Sequence, residues 1–459
     1  MSPPVRATPP VAVVDIGKTT AKLALVDPAS GATLAARTRP NRVLAGPPYP
    51  HADVEGLWAF IVEGLSAIAR GRDLAGIAVT THGATAAMVA GRELALPVLD
   101  YEHDGPEAVA AEYAAARPPF SETLSPRLPA GLNLGAQIFW QARTFPEAFA
   151  RATAILAYPQ YWTWRLCGVA ACELTSLGCH TDLWAPRAGR FSSLVARAGW
   201  QALFPPVVPA ARILGPVRPE VAAAAGIDPA TPVACGIHDS NASLLPWLRR
   251  AEAPFTVVSS GTWTIVMTVG GDLGGLDPAR DSLANVDAFG RAVPTARFMG
   301  GREYAALVGE APAAAGPADL AAAVAAGVVP LPTFAAGVGP FPSGRGAWLG
   351  DPGGLSPAGR TAAADLYLAL VTRACLGLAG RGGRIVVEGP LARNALYCGT
   401  LAALAGVPVH PSPDATGTAA GAASLFAGDA EPGALPTAAG PLDVPGLAAL
   451  LAFLADALG

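Results

Sequence analysis

VAVVDIGKTTAKLALV, residues Val11 to Val26, consists of two apolar runs joined by a short polar turn that contains glycine. This pattern predicts a strand, a turn at Gly17 and a second strand. The turn signal PASG and the run ATLAARTRP follow, and they predict a third strand. We therefore expect the chain to open as an antiparallel meander.

A second segment, PFTVVSSGTWTIVMTV from Pro254 to Val269, repeats this plan. When the two segments are aligned, Gly261 falls on Gly17 and Thr262 falls on Lys18, with apolar runs on both sides. The repeat is weak by itself, but it indicates two domains that each begin with a glycine-turn hairpin. We predict an N-terminal domain over 1–247 and a C-terminal domain over 248–459.

Helical and strand patterns alternate after each hairpin. VEGLWAFIVEGLSAIARG has helical spacing, and LAGIAVTTHG then reads as a strand that ends in a polar turn. In the second half, AAADLYLALVTRACLGLAGRGG predicts a helix and RIVVEGP a strand, whereas 309–327, rich in Ala, Pro and Gly, reads as an insertion or loose loop. This alternation predicts an α/β fold with a partly parallel sheet.

Composition narrows the class of protein. The 459 residues are 52% hydrophobic and 14% charged, so large buried cores are expected. The net charge of −4, without a block of like charges, argues against a nucleic-acid partner. No uninterrupted apolar run reaches the ~18 residues of a membrane span, and MSPPVRATPP lacks the apolar core of a secretory signal. We expect a soluble, cytoplasmic protein with no membrane partner.

The cysteines raise the question of a zinc site, because three of them lie close in sequence to His180. Their spacings fit no common zinc pattern. We favour reduced, buried thiols, as expected of a cytosolic protein. The six are Cys167, Cys172, Cys179, Cys235, Cys375 and Cys398.

Two kinds of motif can carry chemistry. A glycine turn between strands offers backbone N–H groups to phosphate oxygens, and Asp15 just before the first turn makes sense if Mg²⁺ lies between the carboxylate and the phosphate. The alternative is that Gly17 and Gly261 serve turn geometry alone. In GIHDS, Asp239 follows an apolar strand and begins a helix, so it is placed either to cap that helix or to act as a general base at the end of a strand.

Taken in order, four segments resemble the FGGY family of carbohydrate kinases: VVDIGKTTAK, GIHDSNAS, SSGTWT, and VVEGPLARNALYCGTLAALAGVPV with TGTAAGAA. The resemblance covers both halves of the chain. It implies two ribonuclease-H-like domains of the actin/hexokinase/Hsp70 ATPase superfamily, with a catalytic cleft between a sugar-side N-terminal domain and a nucleotide-side C-terminal domain. It also implies ATP, Mg²⁺, a small-molecule sugar substrate and pairing into a homodimer, as in several family members.

The resemblance also implies roles for individual residues. Asp239 matches the catalytic Asp that takes the proton from the attacking sugar hydroxyl, and Asp15 and Asp239 are the candidates near Mg²⁺. The matches to phosphate- and nucleotide-binding positions are Asp15, Gly17, Thr19, Gly261, Thr262, Gly389 and Asn394. The candidates for sugar contacts are His82, Gly83, Asp100, Trp140 and His238.

The substrate is less clearly indicated than the reaction. SSGTWT, with Trp263 after the second turn, looks most like L-rhamnulose and L-fuculose kinases and favours a deoxyketohexose. The chain departs from the family pattern at Pro390, where a second glycine is usual, and at Glu102, where arginine is common. A kinase for a pentulose or polyol, a phosphohydrolase, and a non-catalytic sugar sensor on the same fold stay open.

Both lysines of the chain lie in DIGKTTAK, at Lys18 and Lys22. Lys18 stands at the turn where the family usually has Thr, and we favour contact of its compact ammonium group with a phosphate, which places Lys18 among the phosphate-binding residues. The alternative is a solvated turn lysine. Lys22, on the second strand, matches a position where the family commonly has Lys or Arg, and an ion pair is the simplest role for it.

Overall fold

The structure is a computed structural model that describes residues 8–309, 311–412, 417–428 and 434–458. The chain divides into two compact units. The first comprises Met1–Arg249, Ala284–Ala292 and Thr416–Pro432, and the second comprises Arg250–Leu283, Val293–Ala415 and Gly433–Gly459. The predicted domain boundary after residue 247 stays a prediction; the second unit begins at Arg250 and, unlike the predicted C-terminal domain, leaves two later segments to the first unit.

The strands of the first unit begin with the predicted meander. Strands β1, β2 and β3 pair antiparallel, which confirms it, and β1 then pairs in parallel with β6. The sheet order is β12-β13-β6-β1-β2-β3, with β14 also paired in parallel with β6. The strands are β1 Val11–Ile16, β2 Thr20–Val26, β3 Thr33–Pro40, β4 Val43–Leu44, β5 His51–Ala52, β6 Gly76–Thr81, β7 Ala86–Ala90, β8 Glu93–Leu96, β9 Ala154–Ala157, β10 Trp184–Ala185, β11 Arg190–Phe191, β12 Ile213–Pro216, β13 Pro232–Ala234 and β14 Ile237–His238.

Helices cover this sheet because their apolar residues recur at helical spacing. In α1, Leu57, Ile61 and Leu65 are buried in the core that also holds Leu23 of β2. Asp53 caps α1 by accepting a hydrogen bond from the Gly56 amide at 2.9 Å. The α-helices from Val54 to Arg250 are α1 Val54–Ala69, α2 Ala110–Ala116, α3 Phe120–Thr123, α4 Leu134–Thr144, α5 Pro146–Phe149, α6 Tyr158–Cys167, α7 Leu174–Leu177, α8 Ser193–Arg197, α9 Pro219–Ala225 and α10 Asp239–Arg250.

The second sheet repeats the plan of the first. Its order is β17-β18-β16-β15-β21-β22, in which β18, β16 and β15 pair antiparallel and β21 and β22 then continue in parallel with β15. Three antiparallel strands followed by parallel ones are thus found in both sheets, which confirms the internal repeat. The strands are β15 Phe255–Ser260, β16 Thr264–Val269, β17 Ser282–Val286, β18 Ala292–Phe298, β19 Val329–Leu331, β20 Ala347–Leu349, β21 Ile385–Glu388 and β22 Val409–Pro411.

The remaining helices correct one prediction. Residues 309–327 are not a loose loop throughout, because Pro317–Ala325 forms a helix that buries Leu320 and Val324 in the second core. The helix is mostly alanine and lies between glycines, which obscures it in the sequence, but its first residue is Pro317, and proline suits the first turn of a helix. These helices are α11 Gly300–Val308, α12 Pro317–Ala325, α13 Pro357–Ala379, α14 Ala395–Ala405, α15 Gly417–Ala423 and α16 Leu447–Leu458.

Helices α13 and α15 bear on two separate questions: whether a helix could span a membrane, and which unit the late part of the chain belongs to. Among the described residues α13 alone is long and apolar enough to cross a membrane, yet 78% of its apolar window is buried, as in the core helix of a globular unit. Helix α15 belongs to the first unit although it lies late in the chain, because Ala419 and Ala422 pack in the core that holds Val11 and Val13 of β1.

Candidate active site

Three strands of the first sheet end level with one another. In the register of β6 with its parallel neighbours, Ile16 at the end of β1 and His238 at the end of β14 both lie opposite Thr81 at the end of β6. The residues that follow are therefore brought to one edge: the turn at Gly17, the pair His82–Gly83, and Asp239. Carboxyl ends of parallel strands are where α/β proteins place their ligands.

Two carboxylates lie at this edge. Asp15 on β1 faces Lys22 on β2, whose ammonium lies 4.0 Å from the carboxylate. Burial raises the pKa of Asp15 to about 6; Lys22 opposes the rise and the charge of Asp239 adds to it. Asp239 keeps 33% of its side chain exposed at the start of α10. Carboxylate oxygens are ligands that Mg²⁺ prefers, so this pair suits the Mg²⁺ that the sequence resemblance implies.

Asp239 does not cap its helix in the usual way. Its Oδ1 accepts a hydrogen bond from the amide of the adjacent Ser240 at 2.6 Å, and no bond to an amide two or three residues further along is found in the part of the chain that the structure describes. A conventional cap bonds one of those later amides. The side chain is thus left available for chemistry at the strand edge.

A buried histidine supports Asp239. His238 Nε2 lies 3.1 Å from Asp239 Oδ1 and 3.7 Å from Cys179 Sγ. Burial alone would lower the pKa of His238, but Cys179 and Asp239 outweigh it and raise the pKa. Gly83 leaves room for the ring, because a Cβ there would lie 2.7 Å from Nε2.

The residues that hold the backbone of His238 in place are not predicted by the sequence. The His238 amide donates to Thr175 Oγ1 at 3.0 Å, and the Thr175 hydroxyl donates to buried Glu173 at 2.6 Å. Three cysteines and His180 lie close in sequence and raised the question of a zinc site. Of these four residues, Cys179 is the one that contacts His238. Among the described residues no three metal-ligating side chains come together, and all six cysteines are free thiols.

Lys18 contacts a loop far away in sequence. Its ammonium forms ion pairs with Asp100 and, at 3.4 Å, with Glu102, and lies 4.4 Å from the centre of the Tyr101 ring. His82 meets the same tyrosine edge-on, with ring centres 5.4 Å apart. Burial is the largest influence on His82 and lowers its pKa. The structure thus brings three predicted residues, Lys18, His82 and Asp100, into one corner of the first unit.

Trp140 lies beneath this loop. Only 6% of it is exposed, and its ring packs against Tyr49 at 5.3 Å, His103 at 5.5 Å and Phe145 at 5.6 Å. These contacts make Trp140 a support for the loop that carries Asp100. Direct contact of Trp140 with a sugar stays a prediction.

The second unit holds the other predicted residues. Gly261 and Thr262 form the exposed tip between β15 and β16, where the Gly261 amide donates to the Trp263 carbonyl at 2.9 Å. Gly389 ends β21 with φ +76°, and a Cβ there would lie 2.0 Å from the Ser260 carbonyl oxygen, so only glycine fits.

Asn394 has a structural role in the second unit. Its Oδ1 accepts from the Tyr397 amide at 2.9 Å and so caps α14, while its Nδ2 donates to Asp365 at 2.7 Å. Burial raises the pKa of Asp365 to about 6, and the bonds from Asn394 and Tyr304 oppose that rise.

We expect Asn394→Ala to lower the free energy of unfolding by about 1–2 kcal/mol, because α14 loses its cap and Asp365 loses a donor. Urea unfolding of the purified chain measures the loss. Asn394→Ser is the matched control, since serine still caps the helix but cannot reach Asp365 in the same way; it should lose less. Equal stability of the alanine variant and the wild type would contradict this role.

Comparison with known proteins gives these features a family. Residues 122–246 match the N-terminal domain of the FGGY family of carbohydrate kinases, and residues 252–434 match the carbohydrate kinase FGGY C-terminal domain. The crystal structure of a carbohydrate kinase from Novosphingobium aromaticivorans is 37% identical and covers 95% of both chains, with a TM-score of 0.88. The structure of xylulose kinase from Lactobacillus acidophilus shares the fold at 15% identity, with a TM-score of 0.79 over 98% of this chain and 97% of that chain.

A curated relative matches over a shorter stretch. The L-xylulose/3-keto-L-gulonate kinase of Escherichia coli (strain K12) is 26% identical over 167 residues, which are 35% of this chain and 31% of that protein. These relatives do not support the predicted resemblance to L-rhamnulose and L-fuculose kinases in particular. The chain has the two-domain, actin/hexokinase-like α/β fold and belongs to the FGGY family of carbohydrate kinases, enzymes that phosphorylate sugars.

Proposed function

We propose that this protein transfers the γ-phosphate of ATP to a hydroxyl group of a small neutral ketose, with Asp239 as the general base. The observation that carries the proposal is the common end point of β1, β6 and β14, which sets Asp15, His82 and Asp239 at one edge of the first sheet. A sugar hydroxyl is a poor nucleophile, so a carboxylate within hydrogen-bond reach of it speeds the attack.

Each residue at this edge would have a separate task. Asp239 would accept the proton of the attacking hydroxyl at its exposed carboxylate, while His238 at 3.1 Å holds that carboxylate in place. Asp15, with Asp239, would hold Mg²⁺. When bound, this ion would neutralise charge on the phosphate oxygens, which is the main requirement of phosphoryl transfer.

The second hairpin supports a phosphate role for its glycine. Gly261 does not have a left-handed backbone, and the nearest atom to a Cβ built there is the Trp263 carbonyl oxygen, 3.8 Å away. Neither turn geometry nor packing therefore demands glycine at this position. Close approach of a phosphate to the backbone would demand it.

Gly261→Ala should accordingly leave the unfolding midpoint unchanged and lower kcat/KM for ATP by about tenfold or more, which corresponds to roughly 1.4 kcal/mol of lost transition-state stabilisation. Steady-state kinetics with varied ATP, beside thermal unfolding, measures both effects. If the variant keeps the wild-type kcat/KM, no phosphate approaches the backbone at Gly261, and the phosphate-binding role of this glycine is wrong.

The choice of a neutral ketose rests on charge, and the choice of a pentulose rests on the relatives. The ammonium of Lys18 is already matched by Asp100 and Glu102, so it offers little to the carboxylate of a sugar acid. The named relatives act on xylulose, or on L-xylulose and a keto-acid. Trp263, which favoured a deoxyketohexose, lies under the Arg297 guanidinium at 4.9 Å and so has a packing partner in its own unit. A pentulose is therefore the first acceptor to test, ahead of the deoxyketohexoses.

ATP as the donor implies a cytoplasmic location, and the six free thiols agree with a reducing compartment. Assembly into a homodimer stays a prediction.

An acceptor panel tests the proposal. The purified chain, ATP and Mg²⁺ are assayed for ADP release with D- and L-xylulose, D- and L-ribulose, L-rhamnulose, L-fuculose, xylitol and gluconate. We expect ADP release that depends on a neutral ketose. Release without any acceptor would indicate a phosphohydrolase instead, and acceptor binding without ADP release would indicate a sugar sensor.

A further inference from the structure

The turn between β1 and β2 carries Lys18, whose ammonium group does not point where the sequence predicts a phosphate-binding lysine to point. Lys18 stands at the tip of the first glycine hairpin, yet its ammonium contacts three consecutive residues of the loop 100–102: two carboxylates and the face of Tyr101. A cation over an aromatic face and between carboxylates is well satisfied where it lies. Only 21% of the lysine side chain and 11% of the Asp100 side chain are exposed.

The backbone of the turn is tied to the same corner. Asn41 Nδ2 donates to the Gly17 carbonyl at 2.8 Å, and the Asn41 amide donates to the Thr19 carbonyl at 2.9 Å. Asn41 Oδ1 is buried and accepts no hydrogen bond from any described residue. A cavity of about 20 Å³ lies in this corner, and Lys18, Asn41, His82, Asp100 and Tyr101 are among the residues that line it. This volume holds about one water molecule or one hydroxyl group.

We infer that Lys18 is a positioning residue of the acceptor site and does not bind the nucleotide phosphates. The ammonium holds the Asp100 carboxylate in one orientation, and the unpaired oxygen of Asn41, which lines the same cavity, would accept a hydrogen bond from a hydroxyl of the sugar. To reach a phosphate, the ammonium would have to leave Asp100 as a partly buried carboxylate without its cation, which is unfavourable. This inference rests on the proposed function and names the residues that select the acceptor.

A kinetic comparison separates the acceptor role from the phosphate role. Full-length wild type, Lys18→Met, Lys18→Arg, Asp100→Asn and the double variant Lys18→Met/Asp100→Asn are assayed with the best ketose of the panel. KM is measured for the ketose at saturating ATP and for ATP at saturating ketose. Arg92→Met is the matched control, because it removes the cation of a 3.1 Å ion pair with Glu220, the Arg92 side chain is 76% exposed, and Arg92 does not line the cavity beside Lys18.

We expect Lys18→Met to raise KM for the ketose by about tenfold and to leave KM for ATP within about twofold of the wild type. Lys18→Arg keeps the ion pair and should recover much of the loss. The double variant should lose less than the product of the two single losses, since both single changes break one contact. Arg92→Met should leave both KM values unchanged.

Two results would overturn the inference. A rise in KM for ATP with an unchanged KM for the ketose would make Lys18 a phosphate ligand, and unchanged values for both would make it a solvated turn residue. If the wild type phosphorylates no acceptor, the proposed function fails separately, and titration calorimetry with Mg-ADP then tests Lys18 by itself. Equal ADP affinity of wild type and Lys18→Met supports the part of the inference that Lys18 does not bind the nucleotide phosphates, and a tenfold weaker affinity of the variant overturns it.

Discussion

Asp239→Asn is expected to lower kcat by about 10²- to 10⁴-fold, which is the usual contribution of a general base. Asparagine keeps an oxygen that can accept the 2.6 Å hydrogen bond from the Ser240 amide, and the side chain is one-third exposed, so α10 and the unfolding midpoint should not change. What the variant loses is the ability to take a proton. This substitution therefore distinguishes a base from a helix cap, the two roles between which the sequence alone does not decide.

The measurement is kcat with the best ketose of the panel at saturating Mg²⁺, together with thermal unfolding to show that the fold is retained. Mg-ADP titration measures separately the affinity that is lost if Asp239 also helps to hold Mg²⁺. Asp73→Asn is the control, because Asp73 is an exposed aspartate of the same unit that follows α1 and lies outside the strand edge. A near wild-type kcat in Asp239→Asn would remove the base assignment.

Gly421→Ala should destabilise the first unit by about 3 kcal/mol, at the upper end of the usual cost of overpacking a core. A Cβ on this glycine of α15 would lie 1.7 Å from the carbonyl oxygen of Ala242 and 2.4 Å from its carbonyl carbon, both on the backbone of α10. Backbone atoms cannot move aside as the end of a flexible side chain can. Because α10 begins at Asp239, a shift of this helix should also reduce activity.

Urea unfolding of the purified variant measures this effect. Gly377→Ala is the matched control, since Gly377 is an exposed glycine within helix α13 and a Cβ there would meet no atom within 4 Å. That change should be neutral or stabilise the protein by up to about 1 kcal/mol, the difference in helix propensity between glycine and alanine. If both variants unfold at the same urea concentration, the two helices do not need the close approach that the glycine allows.

The hairpins and the helices around them were predictable because their signal is local. Alternating apolar runs around a glycine turn gave β1 and β2, and the same pattern 244 positions later gave β15 and β16. Composition also misled locally, as at α12: the surrounding segment is rich in Ala, Pro and Gly and resembles a loop, although the N-terminal proline of α12 and its Leu320 suit a helix.

For the candidate catalytic residues, the sequence predicts their positions at strand ends but not the side chains that they contact. Asp239 and the turn at Gly17 follow strands whose ends are visible in the sequence, and Asp15 lies next to the end of one of them. Their meeting at one edge of the first sheet could therefore be expected from α/β topology. The partners of these residues could not. Lys18 pairs with Asp100 across 82 positions, and His238 meets Cys179 across 59.

By itself, then, the sequence determined the repeated hairpin plan and the residues at the strand ends, because short-range periodicity and turn chemistry specify them. Its four motifs, taken in order, indicated the family by resemblance. Only the tertiary structure decided that Lys18 turns to the 100–102 loop, that Trp140 supports that loop, and that α15 packs on β1 of the first unit. The physical reason is that side-chain pairing and close helix packing depend on distances between segments far apart in the chain, which no local pattern encodes.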